Sequence, residues 1–523
     1  MRTIFKRKSF ILSFLIIMVM SLLLSGCGSQ SKQTASSNTN SYSGKPAKYV
    51  FLFIGDGMGM PQVSSAEIYK GSIAKSDNPN IKKLDFTQFP AQGMQTTYEA
   101  DSFIPDSAST GTSIATGFKT NDGIIAMDPS KKIKYTSTAE KAKANGMKVG
   151  IVSSVSIDHA TPAVFYAHNP SRNNYYDIAM ELTKSNFDYF AGGGFLQPKG
   201  KNGDKPDVIE EAKKNGYKYV TTKEDFQKLD SKSGKVIAVN PVLDKAKALP
   251  YSINNNQNSL TLADFTKKGI ELLDNPKGFF MMVEGGKIDW SGHANDAATN
   301  IYDTMALDNA VAEAMKFYDK HPDETLIVVT ADHETGGMTI GFAGTKYETY
   351  YDILANQKIS YDEFDKKVEE YKKSHTPENA KIEDLLPLIK ENFGLTVLTP
   401  DEKTALENKA KNGDKEAAKQ LQLALNDQDL NSLKAALALN MKDKKERGND
   451  QQTYLLYGGY EPLSVTLTHI LNQKAGIGWT SYSHTGVPVP VYAKGVGQEL
   501  FQGYYDNTDI AKKFLAVMGV SKS

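Results

Sequence analysis

The chain has 523 residues, 40% of them hydrophobic, and its 61 basic and 61 acidic side chains leave a formal charge of zero. That balance gives no hint of nucleic-acid binding, while the apolar fraction is enough for a sizeable core. One cysteine in the whole chain excludes a disulfide framework, so stability has to come from packing and bound metals.

The chain opens with MRTIFKRKSF, which carries Arg2, Lys6, Arg7 and Lys8, followed by an apolar run from Ile11 to Leu24. The run is short for a membrane span and ends in small residues, so residues 1–26 read as an export signal. Leu24-Ser25-Gly26-Cys27 resembles a bacterial lipobox. That resemblance implies cleavage before Cys27 and lipidation of its thiol (diacylglycerol, with palmitate among the acyl groups). The product would be anchored to a bacterial membrane, at the cell surface or on the periplasmic side. An ordinary secretory signal with an incidental cysteine is the alternative. Loss of residues 1–26 removes four basic charges and leaves a net charge of about −4, which gives no reason to expect a nucleic-acid partner. Residues 27–47 are rich in Ser, Gln, Asn, Thr and Lys and read as a flexible tether.

Tyr49–Ile54 is an apolar, β-branched run stopped by Gly55-Asp56-Gly57, the pattern of a buried strand and a turn. Lys148–Val155, Gly278–Val283 and Thr325–Thr330 read as similar strands. Helical stretches precede them at Ser137–Asn145, Leu260–Leu273 and Asn295–Tyr318. This alternation predicts a mainly parallel sheet covered on both faces. From Gln357 to Glu446 the chain is charged, nearly free of glycine and helical in propensity, with leucines such as Leu406, Leu421, Leu425 and Leu433 that need somewhere to pack. Glycines and β-formers return at Tyr457, and Val487–Ala493 reads as a further strand. The expected organisation is a catalytic body of residues 48–356 and 447–523, interrupted by a helical cap or crown at 357–446.

Several segments place metal-binding side chains beside these apolar runs. Asp56 lies in a glycine-flanked turn; by itself it is an ordinary turn aspartate, and neither a dinucleotide fingerprint nor a Walker lysine accompanies it. Ser107, in Asp106-Ser107-Ala108-Ser109-Thr110, is either a helix-capping serine or a nucleophile placed where helix N–H groups hold phosphate. No G-x-S-x-G elbow surrounds it. Glu284, Asp289 and His293 fall within ten positions after the run Phe279–Val283, with Asp289 and His293 one helical turn apart, so both can reach one ion. Asp332-His333 follows Thr325–Thr330 and Ala331. Imidazole with carboxylate is a catalytic zinc set. His168, His321, His375 and His469 lie outside these clusters and read as structural or surface residues.

Together the turn at Asp56, the segment at Ser107, Val283-Glu284-Gly285 with Asp289 and His293, Ala331-Asp332-His333 and His484-Thr485-Gly486 resemble the alkaline phosphatase family. The resemblance covers roughly Lys48–Phe342 and Tyr457–Met518. It implies a three-layer α/β/α sandwich, a phosphomonoesterase with two zinc ions and one magnesium ion, a phosphoserine intermediate and, commonly, a homodimer. Residue by residue, it implies that Ser107 is the nucleophile and Arg172 the phosphate-binding arginine. Asp289, His293 and His484 match the ligands of one zinc; Asp56, Asp332 and His333 match those of the other. Asp56 also reaches towards magnesium, with Thr161 and Glu284. His159 and Trp290 stand where the enterobacterial pattern has aspartate and lysine, and look like a variant found elsewhere in the family. His159 then lies near the third metal, whose identity it makes less certain. A phosphodiesterase of the same superfamily and a phosphate-binding surface lipoprotein are the competing readings. A sulfatase is disfavoured because Ser107 is not in a C/S-x-P-x-R setting.

Overall fold

The computed structural model describes residues 42–74, 80–254, 256–448 and 450–520. The segment read as an export signal and Cys27 lie outside the described residues. The last part of the segment read as a tether is seated on the body: Ala47 is buried, and its N–H donates to the Val517 carbonyl at 2.9 Å.

Among the described residues, fourteen strands form in chain order. They are β1 (Tyr49–Gly55), β2 (Ala91–Thr96), β3 (Lys148–Ser153), β4 (Tyr189–Gly192), β5 (Tyr217–Val220), β6 (Lys235–Val239) and β7 (Phe279–Glu284). Then come β8 (Thr325–Ala331), β9 (Glu334–Thr335), β10 (Thr339–Ile340), β11 (Ile477–Gly478), β12 (His484–Thr485), β13 (Val489–Gly495) and β14 (Gly503–Asp506). Ten of them make one sheet in the order β14-β2-β13-β8-β1-β7-β3-β4-β6-β5. Every pairing in it is parallel except those of β13, which runs antiparallel to both β8 and β2. The centre is buried on both faces, and β1, β7 and β8 expose no residue, which is why their sequences are continuous apolar runs rather than alternating ones. Alternate residues of β1 feed two apolar layers: Tyr49, Phe51 and Phe53 join one, and Val50, Leu52 and Ile54 the other. The helix Ala297–Tyr318 packs into the first layer through Ile301, Leu307 and Val311, and Ala108 and Ile114 of the helix Ser107–Thr116 pack into the second. The result is the expected α/β/α sandwich around a mostly parallel sheet.

The charged segment after Gln357 is helical, with helices at Tyr361–Lys372, Ile382–Phe393, Pro400–Lys411, Lys415–Gln422 and Asp427–Asn440. Leu425, Leu433 and Leu437 belong to the same apolar layer as Phe51, so these helices share a core with the sheet. Leu406 and Leu421 are only partly covered, and the helix Pro400–Lys411 buries no residue at all. The β-forming stretch after Tyr457 differs from expectation: Pro462–Ala475 is a largely buried helix, because Pro462 starts it, Gly476 ends it in a left-handed conformation, and one apolar face (Leu463, Leu467, Leu471) meets the core. Among the described residues no helix is long and apolar enough to cross a membrane.

Candidate metal centre and nucleophile

The sheet topology brings the chemistry to one edge. Asp56 follows β1, Glu284 ends β7 and Asp332 follows β8, all at carboxyl ends of parallel neighbours in register; Ile54 pairs with both Glu284 and Thr330. His484 precedes β13. Because β13 is the antiparallel strand, its amino end lies at that same edge.

The first group is built on the short helix Lys287–His293. Asp289 and His293 are one turn apart, and His293 Nε2 is 3.3 Å from Asp289 Oδ1. His484 Nε2 comes within 3.5 Å of that same oxygen and 3.1 Å of His293 Nε2. Both rings are held from behind by backbone carbonyls, His293 Nδ1 at 2.6 Å from the Tyr482 oxygen and His484 Nδ1 at 2.7 Å from the Pro105 oxygen. This leaves the two Nε2 atoms free to serve as ligand nitrogens. In the second group, His333 Nε2 lies 3.3 Å from Asp56 Oδ1, 3.3 Å from Asp332 Oδ2 and 3.2 Å from Ser107 Oγ. The rings of His333 and His484 stack with centroids 3.6 Å apart, so the two groups adjoin. Donor atoms of Asp289, His293 and His484 lie within 4.8 Å of one another, as do those of Asp56, Asp289 and His333. Asp289 therefore belongs to both clusters. Asp332 touches His333 but also accepts from the Gly57 and His333 N–H groups and from Thr110 Oγ1.

Beside the second group, Thr161 Oγ1 donates to Asp56 Oδ2 at 3.3 Å, and Ser153 Oγ donates to Glu284 Oε2 at 2.5 Å. Glu284 Oε1, Asp56 Oδ1 and His159 Nδ1 are buried without a hydrogen-bond partner. The His159 ring stands edge-on to Trp290 with centroids 5.8 Å apart, and Lys287 Nζ lies 4.6 Å from the Trp290 ring centre.

The electrostatics state what charge this site calls for. Asp56, Glu284, Asp289 and Asp332 are all buried together. Burial, then neighbouring carboxylates, push Asp56 up; burial first and Asp289 second push Asp332 up to about 6, and burial raises Glu284 to about 7. Asp289 is opposed by burial yet held well below the ordinary carboxylate range by His293 and His484. Burial lowers His293, and Asp289 more than offsets it, raising that imidazole to about 9. Burying four carboxylates costs several kcal/mol each unless cations compensate. Divalent metals supply that charge, and the converging imidazole and carboxylate donors with orphaned oxygens fit them.

Ser107 is the first residue of the helix Ser107–Thr116, and Asp106 is its N-cap, accepting from Ser109 N–H at 2.9 Å. The other Asp106 oxygen accepts from Arg172 Nη1 at 2.8 Å, which places the arginine beside the serine. The sequence reading offered Ser107 as the cap; Asp106, directly before it, fills that role, and its pairing with Arg172 has no local signal. Glu99, Asp106 and Asp122 bring further carboxylates together on this side. Of the histidines read as structural, His168 pairs with Glu140 at 2.9 Å, and His469 Nε2 lies 3.2 Å from Asn295 Oδ1. Thr335 and Glu334, absent from the sequence reading, reach into the site through hydrogen bonds to Asp289 and to Thr485.

Comparison with known proteins agrees with this geometry. The alkaline phosphatase family profile matches residues 47–520. Alkaline phosphatase 4 of Bacillus subtilis is 32% identical over 521 residues, covering 97% of this chain and 96% of that protein. A cold-active alkaline phosphatase from a psychrophilic Shewanella superposes with a TM-score of 0.70 at 29% identity, covering 90% of this chain and 99% of the other. The alkaline phosphatase of the Antarctic bacterium TAB5 superposes with a TM-score of 0.58 at 26% identity, covering 91% of this chain and 100% of the other. Variants of that enzyme with a histidine replaced by aspartate or glutamate hold magnesium in its M3 site. A buried cluster of acidic and imidazole donors at the carboxyl edge of this sheet, in a chain matched along nearly its whole length, makes the protein a member of the alkaline phosphatase family and a metal-dependent phosphomonoesterase.

Proposed function

We propose that hydrolysis runs through a phosphoserine on Ser107, with two zinc ions and one magnesium ion at the clustered donors. The observation that carries this reading is the position of Ser107 Oγ, 3.2 Å from His333 Nε2 at the positive end of its helix, with Arg172 alongside. Asp289, His293 and His484 would hold one zinc, Asp56, Asp332 and His333 the second, and Asp56, Thr161 and Glu284 the magnesium. Bound there, the metals supply Lewis acidity to the oxygens at phosphorus and lower the pKa of water. The chain does the rest. Arg172 forks onto two non-bridging phosphate oxygens. Ser107 Oγ forms a bond to phosphorus as the ester oxygen departs, and water then cleaves the phosphoserine to free phosphate and the serine hydroxyl. His159 and Trp290, whose rings meet edge to face, would border that magnesium site.

We read residues 357–446 as a cap on this body. Tyr361, Asp365, Lys366 and Lys373 from it meet Lys287 and Trp290 across a cavity of about 700 Å³, which suits control of access by bulky substrates. Export, lipidation at Cys27 and a homodimer remain the expectations drawn from sequence and family. Metabolic labelling with a fatty acid tests the anchor: wild-type protein that takes up no label, or a Cys27→Ser variant that takes up as much, refutes it.

The main test compares a nitrophenyl phosphate monoester with the matching bis ester, with zinc and magnesium present, and traps labelled enzyme at acid pH for mass spectrometry. Faster monoester turnover and label on Ser107 are expected. A higher kcat/KM on the diester, or label on another residue, overturns the proposal.

A further inference from the structure

The two metal-ligand groups come from strands far apart in sequence, and one residue joins them. Glu334-Thr335 follows His333 directly and pairs antiparallel with His484-Thr485, so that Thr335 lies opposite His484. The Thr335 hydroxyl donates to Asp289 Oδ1 at 2.5 Å, and the same oxygen lies 3.3 Å from His333 Nδ1. Its backbone N–H donates to the carbonyl of Gly57, the residue after Asp56, at 3.2 Å. The side chain is buried between two glycines: a Cβ on Gly57 would stand 2.7 Å from Thr335 Oγ1, and one on Gly292 would stand 3.1 Å from its methyl group. Glu334 clasps the same bridge, accepting from Gln62 Nε2 at 2.7 Å, from the Gly337 and Met338 N–H groups at 3.1 Å each, and from the Thr485 hydroxyl.

A hydroxyl has one proton to give. With that proton committed to the Asp289 carboxylate, Thr335 Oγ1 can only accept from His333, so Nδ1 carries the ring proton and Nε2 keeps its lone pair. That Nε2 is the atom facing Asp56, Asp332 and Ser107. His293 and His484 have backbone carbonyls at Nδ1 for the same purpose; at His333 a side chain serves instead. We propose that Thr335 is a positioning residue that sets the His333 tautomer and aims Asp289 at the same time, and so couples the two metal groups. The inference rests on the zinc reading above for its consequence in binding; the hydrogen-bond relay itself is made by the chain's own side chains.

The test uses the whole chain with Thr335→Val, which keeps the shape, and Thr335→Ser, which keeps the hydroxyl. Metal-free samples are titrated with zinc against a chromophoric chelator, and ¹⁵N-histidine spectra of the metal-free proteins report tautomers. Loss of such a partner costs about 10–100-fold in metal affinity. Thr335→Val is expected to bind zinc that much more weakly and to lose the fixed Nδ1–H form of His333. Thr335→Ser, which keeps the hydroxyl, should lose less than about tenfold. Wild-type zinc affinity in Thr335→Val, with circular dichroism unchanged, overturns the inference. Should valine prevent folding, Thr335→Ala takes its place, and zinc binding equal to that of the serine variant overturns it in the same way. If the wild-type protein itself takes up no zinc, the zinc reading fails; the His333 spectra then decide the inference alone, and an unchanged tautomer in Thr335→Val overturns it.

Discussion

Gly57→Ala probes how tightly the turn after β1 is built into the metal centre. Gly57 has φ of +71°, and an added Cβ would lie 2.7 Å from Thr335 Oγ1, 2.9 Å from the Asp289 Cα and 3.0 Å from Thr335 Cβ. The left-handed backbone costs an alanine about 1–2 kcal/mol. Overpacking adds about 1–3 kcal/mol, and no rotamer change relieves it, because one neighbour is helix backbone. The total is about 2–5 kcal/mol. Unfolding entropy is about 2.1 cal/mol/K per residue, or about 1 kcal/mol/K over the roughly 480 residues of the folded unit, so the midpoint should fall by about 2–5 °C. The forced shift falls on Asp289 and Thr335, so zinc affinity should drop with it, by tenfold or more. Scanning calorimetry of the metal-free protein and a zinc titration check the two parts. A midpoint within 1 °C of wild type together with unchanged zinc affinity would refute the reasoning.

Ser107→Ala should lower monoester turnover by at least about 10²-fold, equivalent to about 2.7 kcal/mol. Folding and zinc content should stay close to wild type, since only the 3.2 Å contact to His333 is lost; near-wild-type turnover removes Ser107 from the nucleophile role. In the metal-free protein His293 holds its proton up to about pH 9, so its pair with Asp289 stabilises the fold fully below about pH 6.5 and is lost as pH rises through about 9. Zinc needs the neutral ring, so apparent zinc affinity should climb about tenfold per pH unit across that window, and a flat profile refutes the assignment. Replacing only Pro400–Lys411 with a Gly/Ser linker should leave zinc binding and activity on a small aryl phosphate, because that helix buries no residue and because Gln357 and Tyr361, which donate to the buried Asp296 carboxylate at 2.8 and 3.0 Å, stay in place. Extending the deletion back to Gln357 strands that carboxylate and should cost both; equal behaviour of the two deletions in folded protein counts against this.

Much of the site was legible because Asp56, Glu284 and Asp332 each end or follow a short, fully buried strand, and a continuous apolar run ending in a charged residue is visible without coordinates. The i, i+4 spacing of Asp289 and His293 is likewise local, as is the start of a helix at Ser107. Other features depend on contacts between distant segments. His484 reaches Asp289 only because β13 runs against its neighbours, and strand direction leaves no mark in an apolar run. The Arg172–Asp106 pair spans 66 residues, and Asp289 is shared between two donor clusters because two strand ends meet in register. Thr335 looked like any threonine. What made it a partner of Asp289 and His333 was a two-residue bridge to His484, set by hydrogen bonding across a chain separation of about 150 residues, which no local propensity encodes.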